Sequence, residues 1–172
     1  MRRAVYYILL ILLAFMLQTN VFQAIKLIDA TPNLLLIITF CYGFIRGPID
    51  GMLIGFFSGL LLDLFFGTTI GFYALVYTII GFTNGEVSRI FYTEFIDMPI
   101  VLCLINDLVY SLYVYVFSFL LKGVTNFVFY LKGVILPEVI YTVVITFIIY
   151  KPLRRVNDWL EAREKRSAKT FV

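Results

Sequence analysis

The sequence predicts an all-α polytopic membrane protein with six transmembrane helices, and three observations predict it. The 172 residues are 62% hydrophobic and only 15% charged, whereas soluble domains run near half and about a quarter; mean hydropathy is +0.96. The apolar residues fall into helix-length runs separated by short clusters of charge, Gly and Pro. Across 47–71, glycine recurs every fourth residue at Gly47, Gly51, Gly55 and Gly59; the next steps fall on Asp63 and Gly67, and Gly71 follows. Interior glycine costs a water-exposed helix roughly 1 kcal/mol against alanine. In lipid the same stripe lets two backbones approach closely, which is what holds helices together there.

The first span, 4–22, follows Arg2 and Arg3. It reads as an uncleaved helix, because no small-residue cleavage site occurs in Gln18-Thr19-Asn20-Val21 and further spans follow. Lys26 and Asp29 mark a loop. The second span, 31–46, opens with Thr31-Pro32-Asn33, where Pro near the first turn lacks only an N–H that would have had no partner. It is short against the about 20 residues a span needs, and fits only a thinned bilayer or the inside of a bundle. Arg46-Gly47-Pro48 turns the chain into the third span, 49–66. A tight connection over 67–71 leads to the fourth, 70–85, ending near Gly85.

The charged loop 86–97 places Glu86, Arg89, Thr93 and Asp97 on one helical face and Val87, Phe91, Phe95 and Met98 on another, as in a helix lying along the interface. The fifth span is 98–121. Residues 122–133 are too few to cross and suit an interfacial or re-entrant segment with Tyr130 at headgroup level. The sixth span, 134–150, carries Pro137 and Glu138 just inside its start, and Lys151-Pro152 ends the membrane domain, 1–152. The tail, 153–172, spaces Leu153, Val156, Trp159 and Leu160 helically among Arg154, Arg155, Arg163, Lys165 and Arg166, predicting a basic amphipathic helix on anionic lipid.

Positive charge orients the chain. With both termini cytoplasmic, the inner side holds Arg2, Arg3, Arg46, Arg89 and the seven basic residues from Lys151 onward, and the outer side holds Lys26, Lys122 and Lys132. The reverse orientation violates the positive-inside rule. Cys41 and Cys103 lie in apolar runs and read as small buried residues rather than a disulfide or a metal site. There is no histidine, no glycine-rich phosphate loop, no CxxC or HExxH pattern, and no Ser or Cys beside an obvious base. No enzyme, cofactor or nucleic-acid partner is therefore expected.

The polar candidates are acids. Asp50 sits near a cytoplasmic helix end, within reach of water or Arg46. Asp63 and Glu138 each lie about one turn from the outer end of a span, hence at similar depth. No basic residue inside the spans can pair with them, and two neighbouring carboxylates cannot both carry charge cheaply in low dielectric. Asp107, after Asn106, lies nearer mid-span, where an ionised carboxylate costs about 3 kcal/mol to insert. Two readings stay open for these residues. Asp63 caps the 67–71 turn while Glu138 bonds a neighbouring helix, or Asp63, Glu138, Asp107 and Asn106 form an outward pocket for a cation or a partner's donor group.

Pro32-Asn33-Leu34-Leu35-Leu36, the glycine stripe running into Leu60-Leu61-Leu62-Asp63-Leu64, Gly67 and Gly71 followed by Ala74-Leu75 and Gly81, and Leu136-Pro137 with Tyr141 together resemble the MreD family of bacterial rod-shape-determining proteins. The resemblance spans nearly the whole membrane portion. It implies a non-enzymatic component of the elongation machinery in the bacterial cytoplasmic membrane, acting with MreC, MreB, RodA and a penicillin-binding transpeptidase in lateral peptidoglycan synthesis. It also implies a fold similar to the S-components of energy-coupling-factor vitamin transporters, with an outward pocket. Pro32, Asn33, Gly55, Gly59, Asp63, Gly67, Gly71 and Pro137 match the family pattern. Any glycine-lined face left exposed is then an expected docking surface for MreC. The alternative is a substrate-binding transporter subunit, disfavoured because Ala4 and Ala14 are ten residues apart, too far for the short small-residue docking motif of that class.

Overall fold

The computed structural model describes residues 2–21, 31–67, 69–90, 98–118 and 130–169. Among them the chain is all-helical, with six helices: α1 (Arg2–Met16, continued by a π-helical turn, Leu17–Val21), α2 (Leu34–Arg46), α3 (Pro48–Phe66), α4 (Phe72–Ile90), α5 (Met98–Ser118) and α6 (Leu136–Lys169, preceded by a π-helical turn, Leu131–Ile135). Three stretches are long and apolar enough to cross a membrane: Pro48–Phe66, Pro99–Ser118 and Leu131–Arg163.

The shortest helix is at the centre. The 13 residues of α2 rise about 20 Å, well short of a bilayer's about 30 Å hydrocarbon core. Every residue from Leu34 to Phe44 is nevertheless buried, because α2 packs against all five other helices. Its hydrophobic partners are protein, so its length need not match the lipid. Asn33 caps its start, accepting from the Leu36 N–H at 3.2 Å. Its end is a single residue: Gly47, at φ +105°, closes α2 by donating to the Gly43 carbonyl (2.8 Å) and at once precedes Pro48 at the first position of α3.

The glycine stripe is a seam inside the chain. A Cβ on Gly51 would fall on the Gly81 carbonyl oxygen, one on Gly55 on the Tyr77 carbonyl, and one on Gly59 would meet the Ala74 Cα at 2.5 Å. The α3 backbone thus lies directly on that of α4, with Gly43 of α2 closing the third side, where an added Cβ would meet the Gly81 carbonyl oxygen at 2.5 Å. The stripe is thus a helix-packing seam, and along Gly51, Gly55 and Gly59 α4 covers it, so these positions leave no exposed glycine face for a partner. Two glycines that continue the stripe have other roles. Gly67 closes α3 by donating to Asp63 and Leu62 carbonyls, and Gly71, at φ +99°, makes the turn into α4.

Several boundaries move. The fourth helix does not end near Gly85 but continues to Ile90, because Gly85 is a close-packing residue against Pro48 rather than a stop. The last helix does not break at Pro152, which lies inside it; Leu153 and Asn157 beyond it are buried, and Arg46 donates to the Asn157 side chain. The expected apolar face of the tail is split accordingly, with Leu153 buried and Val156 and Trp159 exposed. The interfacial readings of 91–97 and 122–129, the loop around Lys26 and the extreme C-terminus lie outside the described residues. Cys41 and Cys103 are buried free thiols.

Candidate functional site

One end of the bundle gathers the N-terminus of α2, the end of α3, the starts of α4 and α6, and the end of α1. Its polar groups come from residues that would be costly in an apolar interior unless partnered. Asn33 is the hub. Beyond its cap, its side-chain oxygen accepts the Tyr77 hydroxyl (2.7 Å), and its own N–H donates to the Thr142 hydroxyl (3.3 Å), so α2, α4 and α6 meet on one residue. The π turn ending α1 brings Gln18 alongside, and its side-chain oxygen accepts the Leu35 N–H at 3.1 Å.

Asp63 has a structural partner. Its Oδ1 accepts from the Tyr73 N–H (2.8 Å), and its Oδ2 from Gly71 (2.9 Å) and Ala74 (3.0 Å). A buried carboxylate therefore sits on the N-terminus of α4, where unpaired N–H groups and the helix dipole favour negative charge. Of the two readings offered for Asp63, this geometry is the cap.

The acid whose charge reaches Glu138 is Asp107 rather than Asp63. Depth along the helix axis was readable for Asp63 and Glu138, but facing direction was not, and Asp63 turns toward α4. Asp107 is fully buried, at 0% exposure. The Thr142 hydroxyl faces it, yet neither carboxylate oxygen has a partner at hydrogen-bonding geometry. Three tyrosines are within electrostatic reach of these acids: Tyr73, Tyr77 and Tyr110 of Glu138, and Tyr77 and Tyr110 also of Asp107. Tyr110 packs edge-on to Tyr77 (ring centroids 5.7 Å) and tilted to Tyr73 (6.3 Å). Tyr73 and Tyr110 also line a cavity of about 190 Å³, completed by Gln18, Thr19, Thr31, Leu62 and Phe66.

Asn106 does not join this group. It exchanges two side-chain hydrogen bonds with Asn84 (2.8 and 3.0 Å) and bonds the Leu102 carbonyl, tying α5 to α4. Asp50, at the opposite end, accepts from the Tyr7 hydroxyl at 3.1 Å rather than pairing with Arg46. Pro137 is accommodated by the wide turn preceding it, in which Leu136 N–H bonds the Leu131 carbonyl. The residues sequence reasoning passed over are Gln18, Tyr77, Tyr110 and Thr142. The tyrosines were indistinguishable by composition from the aromatics common in membrane cores, and their one usable signal is helical phase: Tyr73 and Tyr77 are four apart, and Asp107 and Tyr110 three. Among the described residues no group of three or more His, Cys, Asp or Glu could hold a metal ion.

A second feature lies on the flank of the bundle. Between α1 and α3 runs a wholly apolar groove of about 220 Å³, floored by Ile11 and Ile54 and rimmed by Ala4, Tyr7, Ile8, Leu53 and Phe57.

No curated protein and no solved structure matches the chain. The model of one family, described as rod shape-determining protein MreD, matches residues 1–156, a reach that takes in every helix described above and stops within α6. With the Pro32-Asn33 cap, the glycine seam and the Asp63 turn all inside that match, this apolar helical bundle is a membrane protein that belongs to the MreD family of rod-shape-determining proteins.

Proposed function

We propose that the chain is a non-enzymatic, six-span scaffold of the elongation complex, resident in the bacterial cytoplasmic membrane with both termini inside. In that reading it binds the membrane helix of MreC and so couples MreB filaments to RodA, its transpeptidase and lateral peptidoglycan synthesis. The observation that carries the reading is the closure of the glycine seam by α4. A seam already filled makes the bundle core self-sufficient and leaves the groove between α1 and α3 as the concave apolar surface for a partner helix. Its floor residues are buried while Ile8, Leu53 and Phe57 on its rim are about half exposed, the shape into which a helix can press side chains.

Orientation draws support from which ends meet. Tyr6 bonds Tyr42, Tyr7 bonds Asp50, and Arg46 bonds Asn157. These contacts put the start of α1, the end of α2 and the basic extension of α6 at one end of the bundle, as the positive-inside rule requires of a cytoplasmic face. The S-component reading of the fold stays part of the proposal, but a vitamin-binding role is disfavoured. The cavity at the polar end, about 190 Å³, lies below the roughly 300–1,000 Å³ of ordinary small-molecule sites.

The test fills the groove. Ile8→Trp and Leu53→Trp should leave the protein folded in the membrane, lower MreC co-purification at least tenfold, and turn rod-shaped cells round when they replace the native gene. Full MreC recovery with both variants would reject this docking surface.

A further inference from the structure

We propose that the cavity at the polar end of the bundle binds a single uncharged sugar ring. Its volume, about 190 Å³, is that of a one-ring ligand and falls short of a larger cofactor or vitamin. The walls divide by chemistry. Tyr73 and Tyr110, ring centroids 6.3 Å apart and tilted by 36°, form an apolar side with Leu62 and Phe66. The electron-rich face of an aromatic ring attracts the polarised C–H bonds that one side of a pyranose presents. The remaining wall is amide and hydroxyl, from Gln18, Thr19 and Thr31. Gln18 and Thr19 come together in the π turn Leu17–Val21, a distortion frequent at functional sites. Gln18 commits its oxygen to the Leu35 N–H (3.1 Å), which fixes the side chain and leaves its NH2 group to donate. Thr19 donates to the Phe15 carbonyl (2.8 Å), so its oxygen can still accept. The hydroxyls of Thr31, Tyr73 and Tyr110 have no hydrogen-bond partner among the described residues. An acyl chain in this space would leave all of these groups unsatisfied. Charge narrows the class further. No charged residue is among those lining the cavity, and the Asp63 carboxylate lies close behind Tyr73, accepting its N–H at 2.8 Å. An anion would meet that negative charge, and a cation would find no acid to touch. A neutral ring with hydroxyls at its edge and C–H bonds on its face satisfies both walls.

The sugar has two sources, a soluble saccharide or the headgroup of a glycolipid, and recognition of the ring is the same for both. The test uses the full chain in lipid nanodiscs, titrated with methyl β-D-glucopyranoside, methyl β-D-galactopyranoside and, as control, the open-chain polyol sorbitol, and read by saturation-transfer NMR. Saturable transfer to at least one pyranoside and none to sorbitol is expected. Thr31→Val and Tyr110→Phe each remove a hydroxyl and keep side-chain shape, so the two combined should weaken pyranoside binding at least tenfold while the ligand-free unfolding temperature holds. Gln18→Glu keeps the acceptor for Leu35 and replaces the NH2 donor with a carboxylate, and should weaken binding likewise. No saturable transfer to either pyranoside, or equal transfer to sorbitol, overturns the proposal, and so does undiminished binding in the folded double variant. Nanodiscs containing the corresponding monoglycosyl diacylglycerol then assign the source. Displacement of the free pyranoside marks a glycolipid headgroup; unchanged binding marks a soluble saccharide. The titration uses the chain alone, and its failure leaves the groove and the scaffold reading untouched.

Discussion

At the scale of single residues, two side chains finish helices that the backbone alone leaves open. Asn33 serves α2 and Asp63 serves α4, and each does so in an interior where water cannot substitute. Asp63→Ala would strand three N–H groups, and should cost about 2 kcal/mol, toward the upper end of the measured range for caps. Asp63→Asn keeps one acceptor oxygen but turns an NH2 donor toward the remaining N–H groups, and should cost about half as much. Thermal unfolding of the three proteins in one detergent checks the order. Asp63→Ala as stable as the native chain would contradict the cap. The cap was one of two readings open from sequence, because the spacing to Gly67 and Gly71 was visible while the facing of the carboxylate was not. That Asp63 turns away from Glu138 was hidden for the same reason: helix arithmetic gives height along an axis, and neighbours are decided by rotation about it.

At the scale of elements, the glycine stripe was legible as a packing device and illegible as to its partner. A period of four says that one side of α3 is thin; nothing in that period says whose backbone fills it. The counterpart was present in α4 as Ala74, Gly81 and Gly85, and in α2 as Gly43, but those residues are spaced too irregularly to read as a stripe. The consequence reverses a natural expectation. Gly55→Leu should damage the bundle itself, since even a first carbon meets the Tyr77 backbone, at a cost of about 3 kcal/mol or more. The variant should aggregate on extraction and lose the sharp unfolding transition, whereas a selective loss of MreC from an intact fold would mean that the seam faces outward. The short second span was legible too: its shortfall in length predicted either a thinned bilayer or an enclosed helix, and α2 is enclosed. The continuity of α6 through Pro152 was not, because a proline argues for a break and contacts made by Leu153 and Asn157 with distant parts of the chain decide against it.

For the whole molecule, membership of the MreD family ties the chain to rod-shape determination. The fold adds a division of labour: a three-helix core, α2 to α4, locked by backbone contact, a polar end holding the buried Asp63 and Asp107, and a flank carrying an apolar groove. The central claim is that the seam is internal and the groove is where a partner helix lies. Site-specific photocross-linking in growing cells tests it most directly, with a benzoyl-phenylalanine placed in turn at Ile8 and Leu53 on the groove and at Leu75 and Ile79 on the exposed face of α4. The account predicts adducts with MreC from Ile8 and Leu53 and none from Leu75 or Ile79; adducts from Leu75 and Ile79 with none from the groove would contradict it.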